Sequence, residues 1–348
     1  KEGFPIIQFL ELLYKFTFIQ TSLEGYLSCI EIWETLLDYI ISQQEGTQPS
    51  LLHQKYSDGL AALGKQLIIK IQYKSNAKEL ESLDTSTTSD DIDNSELESF
   101  IGGSLDIIGK IAQLYPEKIL NVLAPLLDRG KQFLQIESQV NSSGFTNDIL
   151  YTIKDSEILL RIFSQTACGF TNVDTASGCN LLNLFIQIGQ SINRNRFFEK
   201  HESLVKVEAE LFGTFRAFTP YMQQVVTATN SQEMIVVLTS IIELIIQVLS
   251  LNMPEIIGKS ASVLLGTLGK GLPLIQLPQI QQFIQRAPQI IPNMLPAVQT
   301  EVCGGLIYLL LYPVGDSKSI NWDERYTLTK AVFYIPLFEP YLQFISNP

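Results

Sequence analysis

The chain has 348 residues, 46% of them hydrophobic and 10% aromatic, which is enough to bury a large core and too much for a disordered chain. Its 24 Lys and Arg against 36 Asp and Glu leave a formal charge of -12, which repels phosphate backbones and argues against a nucleic-acid partner. Four cysteines without a CxxC pair, at 29, 168, 179 and 303, read as reduced and mostly buried thiols, and two separated histidines, His53 and His201, offer little for zinc or histidine-based catalysis.

No charged segment followed by an apolar run and a small-residue cleavage site opens the chain. A start at Lys1 within a helical pattern reads as a boundary inside a longer protein. In chain order the pattern is helix after helix, with no convincing strand alternation. Between Tyr26 and Ile41 the residues Tyr26, Leu27, Ile30, Trp33, Leu36, Leu37, Ile40 and Ile41 recur at i, i+3, i+4, one helical face against a core. Trp33 and the pair Phe16 and Phe18 are expected in that core. Box-like starts at Thr21, Ser95, Asn230, Asn252 and Asn321 each place an oxygen acceptor three residues before a carboxylate, suited to the open N–H groups of a first helical turn.

With Gly and Pro as punctuation, helices are predicted at 4–20, 24–42, 50–74, 96–115, 117–138, 149–168 and 176–191. Others follow at 200–219, 222–250, 255–271, 275–286, 292–312 and 324–345, giving about thirteen. Paired from the second onward they make antiparallel hairpins that recur at roughly fifty residues, the spacing of HEAT and armadillo arrays. The expectation is an all-α, HEAT-repeat-like solenoid forming one continuous array over 1–348. The apolar run from Met234 to Leu251 carries Glu243 and Gln247, which hydrocarbon disfavours, and reads as a buried helix.

One segment departs from its surroundings. Between Glu79 and Glu98 lie eight carboxylates, Glu79, Glu81, Asp84, Asp90, Asp91, Asp93, Glu96 and Glu98, and no Lys or Arg. The remaining chain then holds 24 Lys and Arg against 28 Asp and Glu, so the acidity is a local feature. The segment 79–98 is expected as a solvated acidic loop leading into a helix capped by Ser95. Two uses are open: a charge that keeps the array soluble, or a contact for a basic partner, since dense carboxylates steer cations and speed encounter. Weak calcium binding by Asp91, Asp93 and Glu96 is a third, without an EF-hand pattern to support it.

Catalytic motifs fail on inspection. Gly258-Lys259-Ser260 lacks the glycine that a phosphate loop needs at position 253, where Met stands. Gly266, Gly269 and Gly271 follow a helix with no preceding strand and read as a close helix contact. His201-Glu202 has no second histidine at zinc-protease spacing, and Cys29 lies beside Tyr26 and Trp33 as a core thiol. No nucleophile and base, metal cluster or cofactor site emerges, and the chain reads as a binding protein without catalysis.

The first helical pair carries a resemblance. The runs Phe4-Pro5-Ile6-Ile7-Gln8-Phe9-Leu10, Leu12-Leu13-Tyr14-Lys15-Phe16-Thr17-Phe18, Glu24-Gly25-Tyr26-Leu27-Ser28-Cys29, Ile32-Trp33 and Leu37-Asp38-Tyr39 closely resemble the central part of an exportin. The branch is the importin-beta (karyopherin) superfamily receptor that carries profilin-bound actin out of the nucleus. The likeness continues through Gln72-Tyr73, the acidic run Leu80-Glu81-Ser82-Leu83-Asp84, and Leu309-Leu310-Leu311-Tyr312-Pro313 with Trp322 after it. It implies a HEAT superhelix that binds actin with profilin together with Ran-GTP, and that shuttles between nucleus and cytoplasm. The family's main Ran contact lies in N-terminal repeats ahead of this section. An acidic loop in mid-array often faces Ran in the superfamily, which points to Glu79, Glu81, Asp84, Asp90, Asp91 and Asp93 as a contact for Ran or another basic partner. Another HEAT or armadillo scaffold, such as a phosphatase or vesicle-coat scaffold, is the competing expectation.

Overall fold

The computed structural model describes residues 5–43, 51–84, 95–229, 231–251, 253–311 and 321–338. Among these residues it holds seventeen α-helices and no strand. The chain divides into two compact units, Lys1–Asn172 and Val173–Pro348. The first contains α1 (Ile6–Ile19), α2 (Leu23–Ser42), α3 (Leu51–Lys70), α4 (Tyr73–Asp84), α5 (Glu96–Leu114), α6 (Pro116–Leu123), α7 (Leu126–Phe133), α8 (Ile136–Ser143) and α9 (Asn147–Thr166). The second contains α10 (Thr175–Asn193), α11 (Glu202–Ala217), α12 (Thr219–Thr229), α13 (Gln232–Ser250), α14 (Glu255–Gly271), α15 (Pro278–Ile290), α16 (Pro296–Leu311) and α17 (Trp322–Thr329), which a π-helix continues over Lys330–Phe338.

The count exceeds about thirteen because three of the expected segments are broken, each for a local reason. Residues 50–74 separate into α3 and α4 where the chain leaves the helix after Lys70 and Tyr73 starts a new one. The stretch 117–138 becomes α6, α7 and part of α8, with Pro125, which has no N–H to continue the ladder, at the first break. The stretch 222–250 splits into α12 and α13, because the Ser231 hydroxyl accepts from Met234 N–H and starts a new helix.

Each unit builds its core from helices laid side by side. In the first, α2 packs on α5 and α5 on α9, while α3 packs on both α5 and α6. In the second there are two rows: α13 lies against α10 and α15, and α14 lies against α11 and α16. Such stacking is what an array of helical pairs requires, since one pair alone cannot bury both its faces. The fifty-residue phasing shifts in the second unit, however. The expected partnership of 200–219 with 222–250 is replaced by α11 beside α14, and the short α12 serves as a connecting helix.

Sequence spacing translates directly into burial on α2, where Tyr26, Cys29, Ile30, Trp33, Leu37 and Ile40 face inward. Trp33 is 4% exposed and donates its indole N–H to Thr17 Oγ1 at 3.0 Å, as expected of a core tryptophan. Phe16 corrects the companion expectation: it is 55% exposed, and Phe18 is half-buried with its edge on Tyr14. On α1 the inward positions are Leu13 and Thr17, and Phe16 lies away from that face.

Helix starts follow the expected chemistry at Ser95, which accepts from Glu98 N–H, and at Asn321, which accepts from Glu324 N–H. At the first start the acceptor is Ser22, one residue after Thr21. Asn230 and Asn252 lie outside the described residues. Thr146, Asp174 and the Nδ1 of His201 cap α9, α10 and α11 without having been anticipated. Pro288, in the gap between the predicted helices 275–286 and 292–312, lies inside α15.

The glycines of α14 act as a close-contact surface. A side chain at Gly305 of α16 would stand 3.2 Å from Gly266 N and 3.4 Å from Ser262 O, and backbone cannot give way as a side chain can. The helix α13 is long and apolar enough to cross a membrane by length and composition alone. Half of that window is buried inside the protein, and its exposed Glu243 accepts a hydrogen bond from Gln279 Nε2. Cys29 and Cys179 are buried, Cys303 is partly so, and Cys168 is exposed, contrary to a mostly buried set.

Candidate interaction surface

The acidic segment begins as a helix and not as a loop. Glu79, Glu81 and Asp84 occupy the second half of α4, and the Ser95 cap opens α5 before Glu96 and Glu98. Asp90, Asp91 and Asp93 lie outside the described residues.

What places α4 is a carboxylate from far along the chain. Asp155 of α9, 4% exposed, accepts hydrogen bonds from Tyr73 N–H at 2.5 Å and Lys74 N–H at 3.1 Å. These are open donors of the turn at 73–75, which Asn76, at φ -144° and ψ 36°, separates by a kink from the rest of α4. Burial pushes the Asp155 pKa up, while the two backbone donors and Arg129, 3.8 Å away, pull it back down. A second polar cluster fixes the turn before α4. Lys70 reaches both Glu79 oxygens at 2.8 and 2.9 Å and stands over the rings of Tyr26 and Phe100. Asn76 bridges Lys70 O and Glu79 Oε2, and the Tyr26 hydroxyl shares a hydrogen bond with Ser104. Burial raises the Tyr26 phenol far above its ordinary range, so it stays neutral.

The carboxylates of the segment are thus partly matched within the first unit. Tyr151 donates to Glu81 at 2.6 Å, Lys154 to Asp84 at 3.1 Å, and Arg161 to Glu98 at 3.0 Å. Lys154 also stands 4.4 Å from the centre of the Tyr73 ring, which stacks on Tyr151. A run without Lys or Arg in sequence is therefore lined with them in space. The signal was present on α9: Tyr151, Lys154, Asp155 and Arg161 fall on one side of a helix of 3.6 residues per turn. No pattern within 79–98 points to them, because the partners lie some seventy residues away.

The outward result is a rim on which Glu81, Asp84 and Glu96 are exposed, while Glu79 is held closer to the protein at 29% side-chain exposure. A related acidic edge lies on α2, where Glu34 and Asp38 bracket Lys110 of α5 at 2.8 and 2.6 Å. Nearby Asp106 has its pKa raised by burial first and by Glu34 second. Chemically these groups can attract and pair with cations. Among the described residues no three His, Cys, Asp or Glu side chains converge on a metal position.

No protein-family profile matches the chain, and no solved structure does. Curated relatives do match: Exportin-6 of Dictyostelium discoideum is 30% identical over 344 residues, covering 93% of this chain and 32% of that protein. Exportin-6 of Homo sapiens is 26% identical and covers 89% of this chain and 30% of its own length. Exportin-6 of Mus musculus is 35% identical over 145 residues, 40% of this chain and 13% of that protein. The chain spans about a third of the length of the relatives that match along nearly all of it. An alignment that runs almost end to end through this chain in relatives of such distant organisms places it in the exportin-6 family.

Proposed function

We propose that the chain works as a section of a nuclear export receptor, carrying protein cargo out of the nucleus by binding alone. The observation that carries this reading is the alignment with Exportin-6 over 93% of the chain, joined to two units of stacked helix pairs suited to a long binding array. The finer content follows the family: the cargo is actin with profilin, it is taken up together with Ran-GTP, and the receptor shuttles between nucleus and cytoplasm. In this reading 1–348 is one continuous stretch of HEAT-type array. Energy enters through the GTPase, and the receptor contributes a coupling between two bound proteins.

Within this reading the acidic segment meets a basic face of Ran or of the cargo. Glu81 and Asp84 are exposed on α4, Glu79 is paired with Lys70, and Asp90, Asp91 and Asp93 follow them in the sequence. Long-range attraction of this kind raises association rates and falls with salt.

A pull-down from nuclear extract tests the proposal, using a full-length receptor that contains this segment. With Ran loaded with a non-hydrolysable GTP analogue, actin and profilin are enriched; without it they are not. Equal recovery of both in the two arms, or recovery in neither, contradicts it.

A further inference from the structure

Glu208 lies on α11 with 0% exposure, and no cation is paired with it. Its Oε1 accepts a hydrogen bond from Asn193 Nδ2 at 2.5 Å. Asn193, at the end of α10 and 4% exposed, gives another amide hydrogen to Gly189 O at 3.1 Å. Two buried oxygens are then left without a partner, Glu208 Oε2 and Asn193 Oδ1. Turning the amide over does not help, since its oxygen would then face the Gly189 carbonyl and the carboxyl group. Both orphans are acceptors on the two groups that the Asn193–Glu208 hydrogen bond joins, and neither can satisfy the other without a hydrogen. Leaving them unmade costs the desolvation of each.

The surroundings offer no competing charge. Helices α10 and α12, packed beside α11, contain no Asp, Glu, Lys or Arg, and the Cys179 thiol and Tyr221 phenol on them are pushed up by burial to about 11 and about 12. On α14 the charged residues Glu255, Lys259 and Lys270 are exposed, as are Glu202, Lys206 and Arg216 of α11 itself; Glu210 of α11 is half-exposed. The connector from α10 to α11 carries Arg194, Arg196, Glu199 and Lys200 on the outside, and His201 uses Nδ1 to accept from Ser203 N–H.

We propose that Glu208 is held protonated at neutral pH and closes a two-hydrogen-bond acid–amide pair with Asn193, forming a pH-sensitive clasp between the end of α10 and α11. In the clasp Oε2–H donates to Asn193 Oδ1 while Asn193 Nδ2–H donates to Oε1, and both orphans are satisfied. Burial acts in the same direction, raising the carboxyl pKa from 4.5 to about 8, with the Asn193 hydrogen bond opposing it. Between those two values the folded protein keeps a proton that the unfolded chain releases, so stability falls as pH rises through the window and levels off above it.

The clasp has a device to act on. Asn195 and Arg196, at φ 53° and 54°, sit side by side in the left-handed region without being glycine. Such a conformation persists only where the flanking packing enforces it. Ionising Glu208 removes a donor from that packing, and the connector 194–200 relaxes on the alkaline side.

The wild-type chain, labelled with ¹³C at glutamate carboxyls, gives the test by NMR titration. One carboxyl, absent from a Glu208→Gln spectrum, titrates about three units above the ordinary carboxylate range. Glu208→Gln replaces the O–H by an N–H and keeps both bonds without a titrating proton. Its melting temperature therefore changes little between about pH 6 and about pH 9, where the wild type loses stability and its 194–200 connector exchanges amide hydrogens faster. A Glu208 carboxyl that titrates in the ordinary range overturns the proposal even if the variant fails to fold. So does a Gln variant that loses the same number of degrees at both pH values.

Discussion

The two units solve the same packing problem with different chemistry. In the first, ion pairs join helices distant in sequence: Lys110 to Glu34 and Asp38, Lys154 to Asp84, Arg161 to Glu98, and Lys118 to Asp58. In the second, the described ion pairs, Arg196 with Glu199 and Lys259 with Glu255, stay within one turn of the chain. There the helices meet through apolar side chains and bare backbone, as at Gly266 and Gly305. Over an apolar core common to both, the first unit thus adds ion pairs between helices, while among the described residues the second does not, and each is open to a different kind of damage.

The largest expected effect is at Trp33. Truncation to Ala removes a buried indole and its hydrogen bond to Thr17, and costs about 3–5 kcal/mol. Chemical denaturation measures the loss, and hydrogen exchange places it on α1, α2 and α5. Next is Asp155→Ala, which leaves Tyr73 and Lys74 N–H without their acceptor at a cost of about 2–4 kcal/mol. Exchange protection at the start of α4 should disappear first. An unchanged α4 would mean that packing alone holds it, and the contrast between the units would weaken.

The second unit is challenged by bulk. Gly305→Val drives a side chain into the backbone of α14 and costs about 1–3 kcal/mol, read as a drop in melting temperature. Salt is the gentlest probe. Raising KCl from about 0.1 to about 1 M shortens the screening length from roughly 10 to 3 Å, and partly exposed pairs lose a few tenths of a kcal/mol each. Amide exchange should accelerate in the first unit and hold steady in the second. Equal sensitivity of both would remove the distinction.

How much of this was legible in the sequence depends on the range of the interaction. The inward face of α2 follows from the 3.6-residue period, and the caps at Ser95 and Asn321 from spacing within four residues. A glycine contact at Gly266 and Gly269 was likewise readable from the run itself. The break after Lys70 was hidden, because the apolar run continues through Ile71 and Tyr73, whereas the one before Ser231 was signalled by the polar run 227–233 and the box-like start at Asn230. Asp155 as the cap of α4 is a contact across 82 residues, and nothing near Tyr73 announces it. The same holds for the acidic segment. Its charge was plain, while its neutralisation by Lys70, Lys154 and Arg161 needed the fold to bring them together. Phe16 misled for the opposite reason, since an aromatic on an apolar helix looks like core whichever way it faces.

The proposed role for this chain is in a receptor that couples two binding events. Calorimetric titration of the full-length receptor with Ran-GTP and with actin–profilin, each alone and each in the presence of the other, measures that coupling. In the proposed role each partner tightens the other by the same factor, between about 5- and 150-fold, as linkage demands of an allosteric pair. Affinities that do not depend on the other partner would contradict it.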